Sequence, residues 1–340
     1  MPLLSSVSSV SSRSSVGDEQ RGAGTGSSQF RGVSYRARPG ARVVPPHPSR
    51  VDLHSHSCRS DGVLEPAELV AQAAAAGVKI LALSDHDTLA GVRELCAPGS
   101  PSLPLDLLAA VEINSVATSM GDLWEGELHI LGLGVDIDDD AFESALERQR
   151  GYRVSRFRRI VDRLRELGRP IDAQVERYLA ESGAVPGAAL GRPQIARCLM
   201  AAGYASSVDD AMRRLLARGR PAYVARDGLG PVAAISAIRA AGGLAALAHF
   251  ADAPQRRDLV GELQESGLGG LEVHYRHFDT ETVAAMDALA GELRLVRTGG
   301  SDYHGDGETY AQAHDNLYVP DEDATALFGA LGRAAPAVEG

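Results

Sequence analysis

Val51-Asp52-Leu53-His54-Ser55-His56 and Leu83-Ser84-Asp85-His86-Asp87-Thr88 bracket the stretch from which the fold of this chain is read. Each is a short apolar run that finishes in histidine and carboxylate, and Asp61 lies between them in a Ser60-Asp61-Gly62 turn. Residues two apart on a strand face the same side, so His54 and His56 offer two imidazoles to one point just past a strand end. A lone His-x-His is usually a surface accident, but here the pattern recurs. Apolar segments also end in Val111-Glu112, Leu128-His129, Leu247-Ala248-His249 and Gly300-Ser301-Asp302-Tyr303-His304. Short apolar runs around 51–56, 80–85, 107–113, 128–133, 244–249, 270–274 and 294–299 read as seven strands, six of which finish at or beside His, Asp or Glu. Chemistry gathered at the C-terminal ends of successive parallel strands is how a β/α barrel builds an active site.

Helical segments alternate with these runs. Pro66 to Ala76 reads as a helix with Pro at its start and Gly77 at its end. Gly91 to Cys96 and Pro231 to Ala241 read likewise, and Leu293 to Val296 reads as the last strand. From about Asp140 the alternation stops for some 90 residues. Phe142 to Leu167 has helical apolar spacing, and two further helices are expected near Pro193–Ala202 and Val208–Ala217. The organisation expected is a Ser/Gly/Arg-rich disordered tail over 1–48, a first barrel part over 49–140 and a helical insertion over 141–228 that caps the barrel mouth. A second barrel part over 229–322 and a C-terminal tail over 323–340 complete it.

Composition narrows the class. The chain has 340 residues, 44% of them apolar, which suffices for a sizeable core. The net charge of −11 argues against broad binding to nucleic acid, duplex DNA included, since that needs a basic surface. Positive charge is nevertheless concentrated locally: nine arginines lie between Arg148 and Arg169 against Asp162 and Glu166. Such a run is either a solvated helix face or a rim that gathers phosphate. Cys58, Cys96 and Cys198 are widely spaced and form no disulfide framework. No run approaches a membrane span, and a cytoplasmic protein is expected.

The order Asp-Leu-His-Ser-His, Ser-Asp-Gly, Ser-Asp-His-Asp-Thr, Glu-Ile-Asn, Leu-His-Ile-Leu-Gly, Ala-His and Gly-Ser-Asp-Tyr-His-Gly resembles the PHP (polymerase and histidinol phosphatase) family of metal-dependent phosphoesterases. The resemblance implies an α/β fold, a distorted (β/α)7 barrel. It also implies three ions. His54, His56, Glu112 and Asp302 would hold the first, Glu112 would bridge to a second held by His129 and His249, and Asp61, His86 and His304 would hold the third. Counted without the resemblance, these nine residues exceed the ligands of one ion and suit two or three. Their mixed imidazole and carboxylate character suits Mn, with Fe or Zn open.

The expected reaction is attack of metal-activated hydroxide on phosphorus. Asp87 or His277 would assist the leaving oxygen, and Arg192 and His277 would contact substrate phosphate. Arg192 stands out because Gly191-Arg192-Pro193 opens a helix, and a helix N-terminus beside an arginine suits phosphate. Glu272 and His274 share a strand face, but the resemblance makes neither a ligand. The insertion, Arg220 to Val224 and the segment before His249 resemble a branch acting on nucleotides. Its members remove the 3'-phosphate of a 3',5'-bisphosphonucleotide or trim short RNA from its 5' end. A histidinol-phosphate phosphatase and a non-catalytic metal-binding module are the alternatives, and the oligomeric state is left open.

Overall fold

The computed structural model describes residues 48–120, 123, 126–181 and 189–336. The tail expected over 1–48 therefore lies, except for Pro48, outside the described residues. Seven strands form one sheet in sequence order: β1 (Val51–Ser55), β2 (Ile80–Leu83), β3 (Asp106–Val116), β4 (Glu127–Leu133), β5 (Leu244–Leu247), β6 (Gly270–Tyr275) and β7 (Val296–Gly300). Helices α1 (Pro66–Ala75) and α2 (Ala90–Leu95) connect the first strands. Between β4 and β5 come α3 (Asp140–Glu166), α4 (Asp172–Glu181), α5 (Arg192–Ala201), α6 (Val208–Ala211), a π-helical turn over Met212–Leu216 and α7 (Pro231–Ala240). Helices α8 (Arg257–Glu265), α9 (Thr280–Leu293), α10 (Tyr310–His314) and α11 (Asp321–Ala330) complete the chain.

The sheet curls until its two edges meet, where the His56 N–H donates to the Tyr303 carbonyl at 3.1 Å and the Asp302 N–H to that of His54 at 2.7 Å. Closure thus falls at the end of β1 that carries the histidines. Buried Asp52 reinforces it, accepting from Tyr310 Oη and Ser301 Oγ, both at 2.6 Å, and from the Ser301 N–H at 2.9 Å. Inside the barrel Val51, Leu53, Ile80, Ala82, Leu131 and Ala246 are all fully buried. Strands apolar on both faces are what a barrel wrapped in helices requires.

Not all strands run the same way. β4 pairs antiparallel with both neighbours, with Val116 opposite Glu127 on one side and Ile130 opposite Leu247 on the other. The link 117–126 is too short for a parallel crossover, which takes a dozen residues or more. This corrects the reading of uniformly parallel strands, and it explains why His129 lies at the start of its strand: an antiparallel strand brings its N-terminal end to the mouth.

Three other boundaries differ from expectation. The apolar run at 293–296 spans the end of α9 and the start of β7, separated by Arg294 in a left-handed conformation, φ 53°. An additional helix, α4, follows α3. Residues 323–330, expected in a tail, belong to α11, whose Leu327 and Phe328 pack into the core beneath the sheet. The segment between β4 and β5 has a core of its own, built from Phe157, Ile160, Leu164, Ile195, Leu199 and Leu216. Among the described residues no helix is long and apolar enough to cross a membrane.

A candidate metal centre

Strand ends deliver the candidate ligands to one mouth of the barrel. His54 and His56 leave β1, Asp61 sits in the following loop, and His86 follows β2. Glu112 projects from β3 and His129 from the start of β4, while His249 follows β5 and Asp302 and His304 follow β7. All nine are brought together. Their donor atoms form three overlapping groups, each within 4.8 Å: His54, His56, Glu112 and Asp302; Glu112, His129 and His249; and His56, Asp61, His86 and His304.

Glu112 is the hinge of this arrangement. Its Oε2 is 3.2 Å from the Nε2 atoms of both His54 and His56, and its Oε1 is 2.7 Å from His129 Nδ1 and 3.0 Å from His249 Nε2. Asp302 Oδ1 lies 3.3 and 3.1 Å from the same two Nε2 atoms. Asp61 faces His304 Nε2 at 3.2 Å and His86 Nε2 at 3.5 Å. His56 belongs to two groups, presenting Nε2 to Glu112 and Nδ1 to Asp61.

Imidazole nitrogens crowd together here, and several buried atoms have no hydrogen bond. Nε2 of His54 faces Nε2 of His56 at 3.1 Å, and Nδ1 of His129 faces Nε2 of His249 at 3.2 Å. His56 Nδ1, Asp61 Oδ1, His86 Nδ1 and Glu112 Oε2 are buried without a hydrogen bond, although the last two approach to 2.9 Å. Buried polar atoms are ordinarily paired. Convergent imidazole and carboxylate lone pairs lacking donors fit divalent ions.

Charges are strongly coupled here. Burial alone would raise the carboxylates, but the surrounding histidines hold Asp61, Glu112 and Asp302 well below the usual range. Burial alone would lower the imidazoles. Asp61 and Asp302 overcome it at His304, pushed up to about 10, and Glu112 does so at His129, pushed up to about 9. At His86 burial wins over Asp61 and Glu112, and the group falls to about 4.

Residues outside the nine hold these candidate ligands in place. Glu272, fully buried on β6, bonds His54 Nδ1 at 2.9 Å and accepts the His249 backbone N–H at 2.6 Å. Tyr275 Oη donates to Asp302 Oδ2 at 3.2 Å. Asp85 accepts from Ser57 Oγ and Ser60 Oγ, both at 2.6 Å, and so shapes the loop that carries Asp61. His249 and Asp302 have left-handed backbones, φ 31° and 49°. Gly300 is required next to them, since a Cβ there would lie 2.4 Å from His54 Cβ. Reading along the sequence gives none of Glu272, Tyr275 and Asp85 a role. A carboxylate inside the apolar run Leu271-Glu272-Val273 is the available signal for the first.

The segment between β4 and β5 lies against this mouth. Gln194 and Arg197 of α5 bond the carbonyls of Ser60 and Asp61, the latter at 2.7 Å. Arg153 on α3 donates to Asp87 Oδ2 and to Asn114 Oδ1, and Asn114 Nδ2 in turn lies 2.6 Å from His129 Nε2. Asp87 is fully buried under Arg153, its Oδ2 2.5 Å from Arg153 Nε. Arg192, largely buried, lies 3.9 Å from Glu127 Oε1 rather than among the nine. His277 is half-buried with its ring 5.2 Å from that of Tyr275.

The PHP domain family matches residues 52–169. The chain is 35% identical over 259 residues to the 5'-3' exoribonuclease Rnm of Escherichia coli (strain K12), across 74% of this chain and 84% of that protein. It is 30% identical over 272 residues to the 3',5'-nucleoside bisphosphate phosphatase of Chromobacterium violaceum, across 76% and 89%. A crystal structure from Bifidobacterium adolescentis, assigned as a metal-dependent phosphoesterase, superposes with a TM-score of 0.68 at 28% identity over 84% of this chain and 96% of that one.

Proposed function

The chain belongs to the PHP family of metal-dependent phosphoesterases, and from that premise we propose that its substrate is a nucleotide hydrolysed at its 3' phosphate ester. A 3',5'-bisphosphonucleotide comes first, and short RNA degraded from its 5' end second. The two share one chemical demand, an ester on the 3' oxygen of the terminal nucleoside, and the two similar proteins are by name a 5'-3' exoribonuclease and a 3',5'-nucleoside bisphosphate phosphatase. The observation that carries the reading is the convergence of nine ligand donors beneath a cationic helical segment.

In this proposal His54, His56, Glu112 and Asp302 hold one ion, Glu112, His129 and His249 a second, and Asp61, His86 and His304, with His56 shared, a third. Manganese is the first choice of metal. Bound divalent ions supply a hydroxide nucleophile near neutral pH and neutralise charge on phosphate. The residues do the rest. Glu272 and Asn114 orient His54 and His129, Asp302 is aimed by Tyr275, and the Gln194 and Arg197 clamp keeps Asp61 in line. His277 contacts the reacting phosphate from the rim, and Asp87 positions Arg153.

The test is release of inorganic phosphate, with Mn²⁺ and with EDTA, from adenosine 3',5'-bisphosphate, 5'-AMP and histidinol phosphate in parallel. Release from the bisphosphate alone, abolished by EDTA and by His56→Ala, is the expected result. Preference for histidinol phosphate refutes the nucleotide reading. Silence on all three moves the assay to short 5'-phosphorylated RNA, where lack of cleavage refutes it as well.

A further inference from the structure

The loop that brings Asp61 to the mouth is held from outside itself. Within it, the N–H groups of Ser60 and Gly62 both donate to the Ser57 carbonyl, at 3.1 and 3.0 Å. Arg59, Ser60 and Asp61 are buried in succession, and buried carbonyls need donors. All three accept from the segment between β4 and β5: Arg59 from the Ala189 N–H at 2.9 Å, Ser60 from Gln194 Nε2, and Asp61 from Arg197 Nη2 at 2.7 Å. Gln194 and Arg197 stand three apart on α5 and so share one face of that helix.

Arg197 does more than satisfy one carbonyl. Its Nε donates to Asp306 Oδ1 at 3.1 Å and its Nη2 to Asp306 Oδ2 at 2.8 Å, a bidentate ion pair. Asp306 lies two residues past His304, in the loop that follows β7. One guanidinium therefore joins three pieces of chain: α5, the loop of Asp61 and the loop of His304. Asp61 and His304 face each other at 3.2 Å and, with His86 and the shared His56, make up the third group of donors.

The other two groups draw their support from elsewhere. Glu272 holds His54 and His249, Asn114 faces His129, and Tyr275 aims Asp302. The third group is also the one that opens to solvent. His304 is the most exposed of the nine candidate ligands, its side chain 25% exposed against none for His54, His56 and Glu112. We propose that Arg197 is a positioning residue that makes retention of the ion at Asp61, His86 and His304 depend on the contact of α5 with the two loops. Breaking that contact frees this ion and leaves the other two in place. The inference rests on the three-ion reading of the centre.

Equilibrium dialysis of EDTA-treated full-length protein against Mn²⁺, with bound metal counted by atomic emission, tests this in wild type, Arg197→Met and Asp306→Ala. Wild type should bind three ions per chain, one for each group of donors. Arg197→Met should weaken one ion about 10- to 100-fold, as loss of an outer partner does, and leave the other two within about twofold. Asp306→Ala, a change at an exposed loop position, should weaken the same ion about two- to fivefold. His304→Ala identifies that ion by removing it, and adding Arg197→Met to His304→Ala should then alter neither remaining affinity. A general loosening of the fold would instead weaken all three ions together.

Wild-type affinity for every ion in Arg197→Met, equal weakening of all three, or saturation of wild type at two ions each overturns the proposal. Should Arg197→Met melt well below wild type, Asp306→Ala decides, and unchanged metal binding there overturns it. The dialysis uses no substrate, so absence of nucleotide hydrolysis would refute the proposed function and leave this result standing.

Discussion

Glu272 Oε1 lies 2.9 Å from His54 Nδ1, both side chains fully buried, while its other oxygen accepts the backbone N–H of His249. One carboxylate therefore sets the tautomer of one candidate ligand and holds the left-handed backbone of another. With Nδ1 donating to Glu272, His54 keeps the Nε2 lone pair for an ion. Glu272→Gln leaves one acceptor but turns an amide N–H₂ towards a second donor. Loss of such an outer partner lowers metal affinity by about 10- to 100-fold. Competition with a fluorescent chelator measures this, and wild-type affinity in the variant would refute the role.

Metal removal should give stability a pH dependence that metal hides. His129 and His304 are raised from 6.5 to about 9 and about 10. A raised imidazole stabilises fully below its unfolded value, and that stability is lost as pH climbs through the folded one. His86, lowered to about 4, acts in the opposite sense and costs stability as pH falls from 6.5 towards 4. The EDTA-treated protein should melt at its highest temperature near pH 6.5 and lose stability steadily towards pH 10. With Mn²⁺ the ligand imidazoles are already unprotonated, so the alkaline loss should disappear. Parallel melting curves across this range decide the matter, and identical pH profiles with and without metal would contradict the coupling.

Asp87→Asn separates a positioning role from an acid role. Asn tolerates the left-handed backbone at this position, φ 52°, and keeps one acceptor for Arg153. Metal content should be unchanged, and turnover should fall by no more than about tenfold, roughly one charge-assisted hydrogen bond. A loss of about 100-fold or more, of the size general acid catalysis supplies, would assign Asp87 as the proton donor.

Two glycines should respond in opposite directions. Gly300→Ala sets a Cβ 2.4 Å from His54 Cβ and 2.5 Å from its backbone nitrogen, where two backbones must meet to close the barrel. Overpacking of that kind costs about 1–3 kcal/mol, and metal binding should fall with it. Gly151 sits exposed within α3, and a Cβ added there would meet nothing within 4 Å, so Gly151→Ala should stabilise by about 0.4–1 kcal/mol. Urea denaturation of both variants reports the two signs.

The nine candidate ligands were read from short local motifs, most of them in or beside an apolar run, with Asp61 in a turn between two such runs. His54-Ser55-His56 declares a shared face through strand periodicity alone. The antiparallel course of β4 was not legible from the pattern of apolar runs, because a run has no direction; only the short link and the partner strands impose one. Arg294 likewise splits one apolar run into a helix end and a strand start through a backbone conformation that side-chain hydropathy does not encode.

The partners of Asp87, Glu127 and Glu272 depended wholly on tertiary structure. In the sequence each is a carboxylate near a His, and distance along the chain says nothing of which charge will face it. Folding sets Arg153 against Asp87 across 66 residues and Glu272 against His54 across 218. By itself the sequence determined which residues could bind metal and that they would share one barrel mouth, because alternation along strands is a local property of the backbone. Only the tertiary structure decided which nitrogen meets which oxygen, because charge pairing is fixed by distances between segments far apart in the chain.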